Sequence, residues 1–344
     1  MRISAFDQWR RLARRFGRHN RQALILMYHR VAEEASDPWS LCVAPEHFAG
    51  HLQVLRKFAR PVKLQDVVHS LSNGREPAPW SVTVTFDDGY SDNLYCAKPL
   101  LERYDVPATV FLATGYLGSD REYWWDALER LFLHPGSLPP ALRLQLNGTS
   151  GTWELGESAH YGEAAFQTHR GWKAEQDPPT PRQDLYRSVW QAMQRMPETG
   201  QQRVLAELMT WASAVPECRQ GYRPMTPEEV VDLARGGLIE PGAHTVTHPV
   251  LSSLPAARQR EEIQGSKARV EEIVGYPISS FAYPYGDYSE ESIAILQENR
   301  FAVACSTAPG AVQKGADPLR LPRIHVGNWS GEEFERRLSA WFEK

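Results

Sequence analysis

Seven short apolar runs, separated by helix-like patterns, constrain this chain more than any other feature. They occupy residues 23–28, 82–86, 108–113, 238–243, 280–283, 301–305 and 321–326, and most are rich in β-branched side chains. Runs this short, bounded by turn signals, read as buried strands. Between them, Phe48, Leu52, Leu55 and Phe58 keep helical spacing, and Ala294 and Ile295 belong to a helical pattern that stops by Asn299. Thr226-Pro227-Glu228-Glu229 is a helix start, with a capping hydroxyl, proline at the first helical position and an acidic residue at the third. Strand alternating with helix predicts a parallel α/β sheet, as a barrel or doubly wound.

The chain has 344 residues, more than the ~250 that one such barrel needs. The surplus falls at about 118–221, where the rhythm breaks. This stretch holds Pro139-Pro140, a polar loop at 147–151, Pro178-Pro179 and a long helical pattern over 181–214. It reads as a helical insertion covering one end of the barrel, and six of the eleven tryptophans lie in it. Such residues serve first as core for a small insertion. The pair Trp124-Trp125, soon after a strand end, is the exception expected to reach substrate, since indole faces stack on sugar rings.

Composition excludes several classes. Hydrophobic residues make up 42% and charged residues 23%, with a net charge of −4, so the basic footprint of a nucleic-acid binder is missing. No apolar run approaches the ~20 residues of a membrane span. Cys42, Cys96, Cys218 and Cys305 are irregularly spaced, which argues against a zinc knuckle or disulfide framework and fits ordinary thiols in a reducing compartment. Residues 1–22 form a separate segment. Phe6, Trp9, Leu12, Ala13 and Phe16 share one helical arc, and Arg10, Arg11, Arg14, Arg15 and Arg18 the opposite one. A cationic amphipathic helix over 3–18 predicts peripheral contact with a membrane surface or a partner. With no apolar core of a signal peptide beside these arginines, the expected location is cytoplasmic, at the inner membrane surface.

Chemistry-bearing residues cluster where strands should end. Thr85-Phe86-Asp87-Asp88-Gly89 closes the second run with two adjacent carboxylates, costly unless a cation or proton is shared. His244-Thr245-Val246-Thr247-His248 follows the fourth. Two imidazoles and one carboxylate leave open positions, the composition of a catalytic divalent site. His47 and His51 share the i, i+4 spacing, but on a helix with no strand-end carboxylate nearby they read as a solvated face. Tyr283-Pro284-Tyr285-Gly286 makes a stiff turn that can aim a backbone N–H, His29 closes the first run, and Arg323 and His325 lie in the last.

These blocks resemble the polysaccharide deacetylase family, also called the NodB-homology group or carbohydrate esterase family 4. Thr-Phe-Asp-Asp-Gly and His-Thr-Val-Thr-His carry the resemblance, which covers residues 23–115 and 222–330. It implies a distorted (β/α) barrel of seven or eight parallel strands over 23–344, interrupted by the insertion. It also implies a divalent metal, usually zinc, held by Asp88, His244 and His248; cobalt and nickel suit the same ligands. Asp87 then becomes the general base and the Tyr285 N–H helps hold the oxyanion. The family's orienting arginine is absent from the third motif, where Ala282 and Tyr283 stand, and Arg323 is the candidate substitute. The family's Asp-x-x-Trp block is absent too. The late Leu-x-x-His block is matched only loosely, so His29 is preferred to His325 as the general acid. Trp124 and Tyr283 are expected to touch substrate. The implied activity is removal of N-acetyl groups from an acetylated sugar or glycan precursor. Alternatives are a deformylase or O-acetyl esterase on a lipid- or nucleotide-linked glycan, or a non-catalytic glycan-binding protein on the same fold.

Overall fold

A computed structural model describes residues 22–146 and 148–343; the basic segment at 3–18 lies outside them. All seven expected strands form: β1 (Ala23–Tyr28), β2 (Ser81–Phe86), β3 (Ala108–Leu112), β4 (Ile239–Ala243), β5 (Ser280–Ala282), β6 (Val303–Cys305) and β7 (Ile324–His325). Every pairing among them is parallel, and the spatial order is β7-β1-β2-β3-β4-β5-β6. Each strand therefore lies beside its neighbour in sequence, and the last returns to the first. A parallel bridge from Cys305 to Leu321 spans the remaining gap between β6 and the approach to β7. An eighth short strand, Arg60–Pro61, pairs with the start of β2. The sheet is a distorted (β/α) barrel, with β1 and β2 buried along their full length as strands covered on both faces must be.

Register decides what the barrel can do. Tyr28 is level with Phe86, Phe86 with Val110, Leu112 with Ala243, Ala243 with Phe281, and Ala282 with Cys305. The residues just beyond these ends, His29, Asp87, Asp88, His244 and the Tyr283–Tyr285 turn, therefore share one rim. In (β/α) barrels this carboxyl-end rim carries the active site.

The insertion is not purely helical. Ala141–Leu146 and Thr149–Glu154 pair as an antiparallel hairpin, where a loop is expected from the polar 147–151 stretch. Along Ala141–Leu146 exposure alternates strictly, which is the period of a half-buried strand. The 181–214 pattern is two helices, Pro181–Gln194 and Glu198–Trp211, broken where Pro197 cannot continue a helix. Trp124, Trp125, Leu128, Leu185, Val189, Val204 and Leu208 share a hydrophobic cluster separate from the barrel's own. The insertion thus brings its own core to one end of the barrel. Among the described residues, no helix is long and apolar enough to cross a membrane.

Candidate active site and metal centre

The Asp87-Asp88-Gly89 turn leaves β2 sharply. Asp88 and Gly89 both adopt the left-handed region, at φ 74° and 83°, and a Cβ on Gly89 would lie 2.6 Å from the Leu112 side chain, so only glycine fits. Asp88, Thr245, His248 and Tyr285 are four of nine non-glycine residues with positive φ among the described residues. Such conformations cost about 1–3 kcal/mol each and persist where surrounding structure enforces them, typically at functional sites.

The two carboxylates meet different fates. Asp87 receives both terminal nitrogens of Arg323, at 2.7 and 2.6 Å. Arg323 is fully buried and also donates to Ser306 O and Thr85 Oγ1. Burial alone would raise the Asp87 carboxyl. The guanidinium and the nearby imidazoles overcome this and hold it well below the usual carboxylate range. Asp87 is a fixed, ionised acceptor. Arg323 thus stands where the third motif has none, oriented on Asp87.

Asp88 has no such partner. Its Oδ1 is buried without a hydrogen-bond donor, and burial and the Asp87 charge both push its carboxyl well above the ordinary value. Instead, His244 Nε2 stands 3.6 Å and His248 Nε2 3.4 Å from that oxygen. His244 Nδ1 lies 2.7 Å from Ala282 O, so its hydrogen sits there and the Nε2 lone pair faces Asp88. Burial lowers the pKa of both imidazoles, leaving them neutral. Three potential ligand atoms, Asp88 Oδ1 and the two Nε2 atoms, converge. Ligand atoms ~2.1 Å from a tetrahedral ion stand about 3.4 Å apart, so these residues fit a divalent cation. Among the described residues this is the one His/Cys/Asp/Glu cluster with such spacing.

A residue the motifs do not reveal holds the histidine turn. Glu262, on the helix Ala256–Val274, accepts from Val246 N and Thr247 N at 2.8 Å each and from Thr247 Oγ1 at 2.7 Å. His248 N donates to Thr245 Oγ1, completing the turn. Glu262→Ala is expected to weaken metal binding by about 10–100-fold with every ligand intact, measured by competition with a chromogenic chelator.

These groups line a cavity of about 180 Å3, bounded by His29, Trp39, Leu41, Asp87, Asp88, Trp125, Trp190, His244, His248, Tyr285 and Thr307. Burial lowers His29, the residue preferred as general acid, to about 3 against the pull of Asp87, so it rests as a neutral imidazole. His325 is exposed, with its ring 5.9 Å from that of His29.

Two expected substrate contacts lie elsewhere. Trp124 is buried in the insertion core against Trp125 and Trp190; one residue further round the helix, Trp125 faces the cavity with its ring 5.0 Å from His248. Tyr283 is buried behind the rim, its hydroxyl donating to Leu319 O and its ring packed on Tyr288. The next-but-one tyrosine, Tyr285, reaches the cavity because its φ of 58° reverses the chain. His47 and His51 form no metal site, yet His51 is not on a solvated face. It is fully buried, with Nε2 2.7 Å from Trp329 O and Nδ1 3.2 Å from the Tyr28 hydroxyl. All four cysteines are free thiols.

Fold and rim together define a (β/α)-barrel protein whose rim carries an Asp/His/His cluster able to hold a metal ion. The family model described as polysaccharide deacetylase matches residues 74–135 and 186–304, more than half of the chain, and the unmatched 136–185 lies within the insertion. The chain belongs to the polysaccharide deacetylase family. YxkH of Bacillus subtilis (strain 168), itself assigned as a polysaccharide deacetylase, is 28% identical over 138 residues. That match spans 39% of this chain and 48% of YxkH, about half the relative's length. Among solved structures, the fold resembles the Streptococcus pyogenes deacetylase PplD in complex with acetate, at TM-score 0.57 and 19% identity, over 92% of this chain and 98% of that one. IcaB from Ammonifex degensii gives TM-score 0.57 and 18% identity over 94% and 97%.

Proposed function

We propose that this protein is a metal-dependent hydrolase that removes N-acetyl groups from an N-acetylated sugar or glycan. The observation that carries the reading is the division of labour between adjacent carboxylates: Asp87 locked and ionised by Arg323, Asp88 left without a donor beside two neutral imidazoles. What a divalent cation supplies there when bound, zinc being the usual choice, is Lewis acidity for activating water and polarising an acyl carbonyl.

The protein's own groups do the rest. Asp87 accepts the proton of the attacking water, and its bidentate pairing keeps the receiving oxygen in place through the attack. Thr307 donates its hydroxyl to Tyr285 O at 3.1 Å, anchoring the turn residue whose own N–H, in the preceding peptide, is assigned to the developing oxyanion. One such donor is worth ~3 kcal/mol in comparable sites. His29 at rest is a neutral imidazole without the extra proton of an imidazolium, so the proton delivered to the departing amine is the one that Asp87 collects from the water. Trp125 and Leu41 line the pocket and exclude water from the acyl methyl. A cavity of about 180 Å3 is smaller than the 300–1,000 Å3 typical of ligand pockets. It suits one acyl substituent, with the glycan outside.

Purified protein is expected to release acetate from an N-acetylglucosamine oligomer, and a chelator to abolish that release until zinc is restored. Formate release from a formylated panel, with no acetate, would move the reading to a deformylase. Bound metal with no turnover on any acylated sugar would leave a binding protein.

A further inference from the structure

We infer that Trp190, carried by the insertion, is a substrate-binding and specificity-determining residue whose indole N–H donates to an oxygen of the sugar bearing the acyl group. The inference rests on the glycan reading above.

Trp190 sits on the helix Pro181–Gln194, which starts where Thr180 Oγ1 accepts from Arg182 N. Leu185, Tyr186, Val189 and Met193 bury one face of that helix in the insertion core. Trp190 lies one step round from that face and lines the cavity with Asp87, Asp88 and both metal-site histidines. Its ring stacks on Trp39 with centroids 4.0 Å apart and meets Tyr285 edge-on at 6.2 Å.

The two stacked indoles differ in one respect. Trp39 Nε1 donates to the Tyr186 hydroxyl at 2.8 Å. Trp190 Nε1 is buried with no acceptor, and so is the hydroxyl of the neighbouring Tyr285. Buried donors are almost always paired in folded proteins, and an exception at a site points to a partner that is absent. Two residues that line an acyl-sized cavity and each carry such a donor point to an oxygen-rich ligand, which a hexose supplies and a simple acyl ester does not. Neither atom is open to water. For its N–H to reach an oxygen of a sugar entering over the acyl pocket, the Trp190 side chain has to turn as the sugar binds. Trp39, fixed by Tyr186, stays as the wall on which the sugar face can rest.

The test compares wild type with Trp190→Phe, which keeps an apolar ring and removes the donor, and with Trp190→Ala. The full chain, loaded with zinc, is assayed on an N-acetylglucosamine pentamer and on 4-nitrophenyl acetate, which carries the same acyl group without a sugar. The ratio of kcat/KM, pentamer over ester, is expected to fall about tenfold in Trp190→Phe and further in Trp190→Ala, mainly through KM. Calorimetric binding of the pentamer, which needs no turnover, is expected to weaken by a similar factor. Equal losses on both substrates, or an unchanged ratio and affinity, would overturn the assignment while leaving the deacetylase reading intact. Wild-type protein that neither cleaves nor binds the pentamer would overturn both.

Discussion

Asp87→Asn is expected to lower acetate release by about 1,000-fold, within the 100- to 10,000-fold range of a lost general base, while metal content stays at the wild-type level. The expectation follows from the pairing of Asp87 with Arg323, at 2.7 and 2.6 Å through both oxygens. A carboxylate held this way is oriented and ionised but is not among the three atoms that converge for a metal. Asparagine keeps the shape and one acceptor and loses the basicity. The check is acetate release beside elemental analysis of the same preparation; loss of metal would make Asp87 a ligand and overturn the assignment. The substitution also leaves a fully buried guanidinium short of its counter-charge, a change of about 3 kcal/mol in stability. Adding Arg323→Gln to Asp87→Asn should therefore recover part of the melting temperature and none of the activity. Because Arg323 holds Asp87 below the usual carboxylate range, the base stays ionised through mildly acidic pH. Arg323→Gln alone should move the acidic limb of kcat/KM toward higher pH.

That Arg323 completes the base is the kind of fact a sequence offers only as a candidate. The two residues are 236 positions apart, and what joins them is β7 returning beside β1, a closure that no local pattern records. The strands were legible because most of them bury both faces and so read as short apolar runs. The rim was legible because turn chemistry and ligand types follow directly on those runs. Legibility stopped where orientation decides. Trp124 and Trp125 are adjacent, and about 100° of helical rotation separates a core residue from a cavity wall. Tyr283 and Tyr285 differ by a single reversal in the backbone. Glu262 is an ordinary helix glutamate until the helix Ala256–Val274 packs beside the histidine turn. In the insertion, by contrast, part of the signal was present: Ala-Leu-Arg-Leu-Gln-Leu alternates, and the Asn147-Gly148 directly after it is a hairpin-turn signature. The prolines and glycines around it drew the reading to a loop.

Zinc is expected to raise the melting temperature of metal-free wild type by several degrees, and Asp88→Asn to abolish that response without lowering the melting temperature of the metal-free protein. Asp88 is buried, and its Oδ1 has no donor. With burial and the Asp87 charge both raising its carboxyl, the metal-free site holds either a protonated acid or an uncompensated charge. A cation that binds only the folded state stabilises it by about 4 kcal/mol at 1,000 times its Kd, and about 2 °C or more per kcal/mol follows for large domains. Asparagine at this position buries no charge, so removing the carboxylate relieves the metal-free protein and costs only the holo form. The pH dependence has a definite sign. A carboxyl whose folded pKa is raised binds its proton more tightly in the native state, so the stability of metal-free wild type falls as pH rises from ~3.9 through the folded value. Asp88→Asn lacks that component, so the melting temperatures of the two metal-free proteins should diverge with rising pH. Protons compete with the cation for Asp88, so the zinc-induced increase in wild type should grow over the same interval. Differential scanning calorimetry of both proteins, with and without zinc across that range, decides the matter. A zinc response retained in Asp88→Asn, or a metal-free variant much less stable than metal-free wild type, would place the metal elsewhere.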